Sequence, residues 1–497
     1  MRSTPLMLRR LTVCIPAALL AILSACSQGE TRSLLSPESS SPAKAGAETS
    51  AFPDATAPQA APAATAAPAA PKDTAKADEN EDKPDTKPKE YAGSYGGAVY
   101  ADTPKELQPF HNMKEPYKRF FLDPLEANGP GQDLGEPEVE TVKIGLLAPL
   151  ERTHESYMGV HIQEGVMQAI EDANAAGGYK GKRFELVSRN DNGLWGALAN
   201  EIAKFAYDDK VWAIIGSVDS ANTHIAIRVG LKIEIPIITP ADTDPTYSET
   251  RIPWAFRNIP DDRQFTYTIA HYAFKELGLS KVAIFRANNR FGRFGVSEFR
   301  QGAMRYNKPA PIEINYEINY QNVNPDFSDQ MERIEKTQPE GIVLWADASA
   351  AGAIVKTIRE RGFKMPVFAC ERVVNPEFLK IAGPAAEGVI AVYPFNPEQG
   401  DPLYEDFARK FEARTGQRPL AYAAYSYDST MMIVEAVRKA GLNRWKIRDA
   451  LQEMQSYKGV TGEAHMDMTL TNRANIIFCT VKDGNFVFNE PKTKKVW

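Results

Sequence analysis

Two loops rich in small hydroxyl residues hold the side chains of this sequence best placed to do chemistry. Gly216-Ser217-Val218-Asp219-Ser220 follows the apolar run Trp212–Ile215 and leads into a helical pattern with Ile225, Val229 and Leu231 as its apolar positions. Pro240-Ala241-Asp242-Thr243-Asp244 follows the run Ile235–Thr239 and leads into a segment opened by Pro245. A helix start presents unpaired N–H groups and the positive end of its dipole, so it attracts a carboxylate or phosphate, and a hydroxyl there adds a donor. Ser220 and Thr243 are the candidates for that work. The competing reading is that Ser220, Thr243 and Asp244 cap their own helices. Catalysis is not expected, because no Cys/His or Ser/His pair has the setting of an activated nucleophile and Ser220 has no recognisable base nearby in sequence.

The elements that must hold these loops alternate between apolar strand and amphipathic helix. Thr141–Pro149 (TVKIGLLAP) reads as a first buried strand and Glu164–Ala176 as its helix, ended by Gly177-Gly178. Arg183–Ser188 reads as a second strand, and Leu198–Ala206 as a second helix. After Phe256-Arg257-Asn258-Ile259-Pro260 the rhythm restarts with helix Thr266–Leu277, strand Val282–Phe285, loop Arg286–Phe294 and helix Val296–Tyr306. Strands Ile312–Tyr316, Gly341–Ala346 and Met365–Cys370 follow, separated by helices Phe327–Lys336 and Ala353–Arg361. This α/β alternation predicts parallel sheets covered on both faces, with ligands bound beyond the carboxyl ends of the strands. Two halves, each about the length of a domain, predict two lobes with a ligand cleft between them.

The beginning of the chain is of another kind. A basic head, the apolar run Leu11–Leu23 and the tetrapeptide Leu23-Ser24-Ala25-Cys26 form a secretory signal too short for a stable membrane span. The tetrapeptide looks like a bacterial lipobox, with Cys26 acylated as the mature N-terminus. From Ser27 to about Glu90 the chain is Ala, Pro, Ser, Thr, Lys and acids, a composition that predicts a disordered tether able to reach on the order of 200 Å at ~3.1 Å per residue. Aromatic residues return without periodicity over Tyr91–Glu140, an extension whose order the sequence leaves open. A net charge of -6 with six scattered histidines offers no basic face for nucleic acid, and neither a metal site nor a cofactor is expected. Beyond Cys14 and Cys26, Cys370 and Cys479 remain, in a compartment where they could form a disulfide; two buried free thiols are the alternative.

From Val142 to about Asn489 the chain resembles the branched-chain amino-acid-binding (leucine/isoleucine/valine-binding-like) family of periplasmic solute-binding proteins, whose type I fold delivers ligands to ABC importers. The resemblance is carried by KIGLLAPL, DANAAGG at Asp172–Gly178, IIGSVDSANT, IPIITPADTDP, FRNIPDD at Phe256–Asp262, PDFSDQMERIEKTQPEGIV at Pro325–Val343 and FLKIAGPAAEGV at Phe378–Val389, in order and at matching spacing. It implies a two-lobed fold in which each lobe is a mostly parallel sheet flanked by helices. It also implies that Ser220 and Thr243 hold a ligand α-carboxylate, while the Ala241 carbonyl, the Thr243 hydroxyl and Glu371 on the far lobe hold the α-ammonium. Side-chain specificity in the family comes from aromatic residues, for which Tyr157 in the loop after the first strand and Phe291 in the loop before a glycine are the candidates. Asp347-Ala348-Ser349 stands where relatives commonly place aromatics, and Asp242 where a small neutral residue is usual. These two extra carboxylates favour a ligand with an additional polar or cationic group, unless they face water.

The sequence is thus read as a lipid-anchored receptor in the bacterial cell envelope, facing the periplasm or exterior. It would be monomeric, would bind a small amino-acid-like solute and would pass it to an ABC permease. Its segments are a signal at 1–25, a tether at 26–90, an extension at 91–140, one lobe from 141–261 with 392–468, and another from 262–391 with 469–497. The alternative is an envelope lipoprotein that uses this fold as a ligand sensor or as a protein-interaction regulator of cell-wall enzymes.

Overall fold

The computed structural model describes residues 127–489 except 152, 192–194, 318–325 and 468. The signal, Cys26, the tether and most of the extension lie outside the described residues. The first sheet has the order β2-β1-β3-β4-β5, built from β1 (Thr141–Ala148), β2 (Arg183–Asn190), β3 (Ile214–Gly216), β4 (Ile237–Thr239) and β5 (Ala255–Arg257), all paired in parallel. Helices α1 (Ser156–Ala175), α2 (Trp195–Tyr207), α3 (Ser220–Ile233) and the single turn α4 (Thr246–Glu249) connect these strands. Every residue from Ile144 to Ala148 is buried, as expected of a central strand covered on both faces.

The chain crosses to the second lobe after β5. Helix α5 (Asp262–His271) ends in a wider π turn, Tyr272–Glu276, and is followed by β6 (Val282–Ala287), α6 (Arg290–Arg305), β7 (Ile312–Tyr316), α7 (Ser328–Thr337), β8 (Gly341–Trp345), α8 (Ala348–Glu360) and β9 (Val367–Ala369). A short 3-10 turn, Glu371–Val373, leads to α9 (Pro376–Ala382) and β10 (Ile390–Tyr393). Helices α10 (Pro402–Thr415), α11 (Ala421–Ala440) and α12 (Arg444–Glu453) then return to the first lobe, where α11 lies along α1. Gly165 permits that approach, since a Cβ there would stand 2.2 Å from the Ala423 carbonyl. A small hairpin of β11 (Ser456–Gly459) and β12 (Gly462–His465) precedes β13 (Ile477–Lys482) and β14 (Asn485–Asn489). The second sheet has the order β14-β13-β10-β9-β8-β6-β7; it is parallel except where β13 pairs with β10 and β14.

Several helices begin earlier than periodicity suggests. Asn289 caps α6 by accepting from Gly292 N at 2.9 Å, so the glycine-rich stretch read as a loop is helix, and Phe291 sits in its first turn. Tyr157 likewise stands in the first turn of α1 rather than in a loop. The proposed disulfide is corrected by the topology. Cys370 follows β9 and Cys479 lies on β13, with β10 between them, and both are buried free thiols. Two strand spacings are about 9.5 Å, beyond the ~7 Å Cα separation a disulfide spans.

The described end of the extension, 127–140, is anchored to the first lobe. Asn443 Nδ2 donates to the Leu134 carbonyl at 2.8 Å, Gly131 N donates to Glu234, and Glu136 accepts from Tyr179 and Lys180. Beside it lies a cavity of about 710 Å³ lined by Leu134, Val139, Trp212, Ile233, Arg444 and Trp445. None of the sequence-predicted site residues lines it.

Candidate functional site between the lobes

The first lobe contributes its loops after β3 and β4. Asp219, not Ser220, caps α3, its carboxylate accepting from Ala221 N at 2.8 Å and Asn222 N at 3.0 Å. Ser220 Oγ donates to Asp242 Oδ1 at 2.7 Å, the Thr223 hydroxyl donates to Oδ2, and Asp244 N reaches Oδ1 at 3.1 Å. The Ser220 proton is therefore engaged inside the protein by the Asp242 carboxyl. Asp242 is fully buried rather than facing water; burial pushes its acid up, while Thr223 and Ser220 pull against that. Asp244 accepts locally from Thr246 N at 2.9 Å, although Pro245 and not Asp244 stands at the cap position of α4.

Ala241 and Thr243 are also buried. Thr243 Oγ1 lies beside the Asp262 carboxyl without a well-aligned hydrogen bond, and neither Asp262 oxygen has a protein partner. Asp262 opens α5, with Asp261 as the cap accepting from Gln264 N. Burial raises the Asp262 acid far above the usual carboxylate range, and the charges of Glu371, Asp244 and Asp242 add to the rise.

The second lobe presents Glu371 and Arg372 from the 3-10 turn after β9. Tyr422 Oη, on α11, donates to Glu371 Oε1 at 3.4 Å, while Glu371 Oε2 has no protein partner. Burial raises the Glu371 acid and Arg372 opposes that shift. The Arg372 guanidinium lies 3.7 Å from the Phe291 ring centroid, and its Nη1 donates to Glu155 and Asp347, both at 2.9 Å. Asp347 also meets His154 Nε2 at 3.0 Å. Burial works against the Asp347 charge, but His154 and Arg372 prevail and hold its acid below the usual range. His154, Glu155 and Asp347 have ligand atoms close enough to suggest a cation site. Arg372 already donates to both carboxylates and His154 meets Asp347, so the donor set is engaged in an ion-pair cluster and fits that better than a metal.

Two sets of contacts therefore tie the lobes across the cleft. In one, Arg290 of α6 binds Asp244 at 2.6 Å and the Thr246 hydroxyl at 2.7 Å. In the other, Arg372 and Asp347 meet Glu155 and His154. Thr243 Oγ1, Asp262, Glu371 Oε2, the Arg372 Nε and Nη2 atoms and the Tyr157 hydroxyl are buried between them without a protein hydrogen-bond partner. Buried polar groups are normally paired, and each one left unpaired costs about 1–3 kcal/mol. Of the sequence-predicted residues, Thr243, Glu371 and Tyr157 belong to this unsatisfied group, Phe291 supports Arg372, and Asp347 is spent on His154 and Arg372. Sequence reasoning missed Asp262 and Arg372, although the first ends the FRNIPDD motif and the second directly follows Glu371.

Residues 141–483 match the family model described as periplasmic binding protein. A Leu/Ile/Val-binding protein homologue of Brucella suis biovar 1 is 28% identical over 335 residues, covering 66% of this chain and 86% of its own. An amino acid binding protein of Pseudomonas aeruginosa is 28% identical over 305 residues, covering 61% of this chain and 79% of its own. A leucine-binding protein of Thermotoga maritima superposes with a TM-score of 0.64 at 24% identity, over 71% of this chain and 99% of its own. A solute-binding protein of R. palustris in complex with benzoate reaches 0.63 at 19% identity, over 70% and 95%. These likenesses show a two-lobed type I fold, and the different ligands on it show that the fold alone does not choose the solute.

Proposed function

Since the chain belongs to the periplasmic binding protein family, we propose that it is a lipid-anchored receptor that captures a small amino-acid-like solute between its lobes and delivers it to an ABC importer. The observation that carries this reading is the group of buried, unpartnered polar atoms in the cleft, contributed by both lobes and flanked by ion pairs that hold them together. A zwitterion supplies both the acceptors and the donors that such a group lacks. Thr243 and the Ala241 carbonyl would meet it from the first lobe, and Glu371 from the second, with Tyr157 and Phe291 shaping the space. Cys26 would carry the lipid, and fractionation of a Cys26→Ala variant, expected to leave the membrane, tests that part. The names of the amino-acid-binding relatives support an amino-acid ligand.

The test is isothermal calorimetry of the full chain with the twenty common amino acids, preceded by a thermal-shift screen. At least one is expected to bind and raise the melting temperature. Absence of binding by all twenty would sink the receptor reading and favour a protein-interaction role.

A further inference from the structure

We propose that the ligand's carboxylate is gripped by Arg372 on the second lobe, and not by the hydroxyl loop at the start of α3, with the ligand's ammonium held by Glu371 and Asp262. The inference rests on the receptor reading above and specifies the chemistry of that same site. It begins with the first lobe, where the place that could attract an anion is occupied by the protein's own carboxylate. Asp242 takes the protons of Ser220 and Thr223 and the Asp244 N–H. A second carboxylate brought to Ser220 would find that donor used and an acid in the way.

Arg372 shows the reverse. Its Nη1 is engaged by Glu155 and Asp347, but Nε and Nη2 are buried and have no hydrogen-bond partner. The nearest acid to Nε is Glu371 Oε1, at 4.0 Å. Nε and Nη2 form the edge of a guanidinium whose two parallel N–H groups match the two oxygens of a carboxylate. Stacking on Phe291 at 3.7 Å fixes the guanidinium plane, and the ion pairs to Nη1 fix its rotation, so the open edge is held ready for a ligand. A phenylalanine suits that role because the ring face, not a phenol, makes the contact.

The acids beside this edge specify the other half of the ligand. Glu371 Oε2 is buried without a partner, both Asp262 oxygens are buried with only the Thr243 hydroxyl beside them, and the Glu371 charge adds to the rise of the Asp262 acid. A cationic ammonium relieves both. A planar monoanion on Arg372 beside a cation on Glu371 and Asp262 describes an amino acid or a related zwitterion. A phosphate would add a second negative charge next to these acids with no further free cation among the described cleft residues named above to balance it.

The experiment titrates the full chain by calorimetry with the twenty common amino acids, then with the carboxamide and the deaminated acid of each one that binds. Arg372→Lys and Arg372→Gln are measured beside the wild type, with melting temperatures to show that each is folded. The inference expects the carboxamide to bind at least a hundredfold more weakly than its parent acid, and Arg372→Lys to lose affinity to a similar degree while still binding the carboxamide as the wild type does. The analogue comparison uses only wild-type protein and stands even if both variants fail to fold. Retention of wild-type affinity by Arg372→Lys, or equal binding of acid and carboxamide, would overturn the inference and leave the receptor reading intact. Failure of every amino acid to bind the wild type would overturn both.

Discussion

Two aspartates within the same loop system show what separates a polar group that builds the protein from one that serves a ligand. Asp242 and Asp262 are both fully buried, and burial raises both acids. Asp242 has three donors around its two oxygens, all from its own lobe. Asp262 has only the Thr243 hydroxyl beside it, in no well-aligned hydrogen bond, although it stands at the start of a helix. The first carboxyl ties the loop after β4 to the first turn of α3, and it shapes the cleft without entering it. The second has only a poorly aligned hydroxyl beside its carboxyl, and its burial raises its acid. Within this cleft, then, the satisfied acid belongs to the frame, and what marks the site is the convergence of poorly satisfied polar groups from both lobes.

The sharpest way to break this comparison is to remove each acid in turn. Asp242→Ala leaves the buried Ser220 hydroxyl and the Asp244 N–H without their acceptor, while Thr223 can still donate to the Ser220 carbonyl, and at about 1–3 kcal/mol for each unpaired group the loss of stability is expected to be at least about 2 kcal/mol. Asp262→Asn keeps a carbonyl oxygen beside the Thr243 hydroxyl and relieves a buried acid, so stability should change by less than about 1 kcal/mol while ligand affinity falls. Urea denaturation of both variants decides it, and comparable destabilisation by the two would end the distinction.

The next effect separates the lobes from their closure. Arg290 reaches from α6 to Asp244 and Thr246, so Arg290→Ala removes one of the two interlobe ties without touching either core. A loss of about tenfold in ligand affinity is expected, which is about 1.4 kcal/mol, with an unchanged urea midpoint in the absence of ligand. Small-angle scattering should report a larger radius of gyration for the ligand-free variant. An unchanged radius and unchanged affinity would show that the tie does no work in closure.

A smaller, pH-dependent effect belongs to the second tie. His154 is raised above its ordinary value: burial opposes its charge, and Asp347 across the cleft outweighs that. The stabilisation is therefore fully present below the open-form pKa of about 6.5 and is lost as pH rises through the higher closed-form value. Asp347 is lowered, so its share is present above the usual carboxylate range and is lost as pH falls through its closed-form value. Ligand affinity should thus be highest between about pH 4 and 6.5, and decline by about two- to fivefold above the closed-form value of His154. Calorimetry across this range would measure the decline, and His154→Gln should flatten it.

The same contrast explains what the sequence made legible. Strands such as Gly341–Trp345 announce themselves because a central parallel strand is apolar throughout, and the hydroxyl loops stand out because they follow such strands. Helix starts were harder: α6 is hidden in Arg290-Phe291-Gly292, where Asn289 supplies the cap that periodicity does not register. The site was half legible. Thr243 and Glu371 are among the buried, poorly partnered groups of the cleft, but residue types alone could not show that Asp242 would take the Ser220 proton. Nor could they show that Arg372 would keep one edge free, because both facts depend on which donors and acceptors the fold brings together from distant segments.

The smallest expected effect concerns the cysteines, where the two residues of interest have neighbours that already satisfy them. Cys370 Sγ donates to the Ala346 carbonyl at 3.3 Å, and Cys479 sits buried on β13 with a thiol that burial pushes up. A buried thiol held in its neutral form is a poor nucleophile and slow to oxidise. With β10 between the two strands, a bridge would require the sheet to open. A reducing agent should therefore leave both the melting temperature and ligand affinity of the purified chain unchanged. Mass mapping of unreduced, alkylated and digested protein should recover Cys370 and Cys479 in separate peptides. A linked peptide containing both would show that the second sheet rearranges, and would reopen the placement of Glu371 and Arg372, which directly follow Cys370.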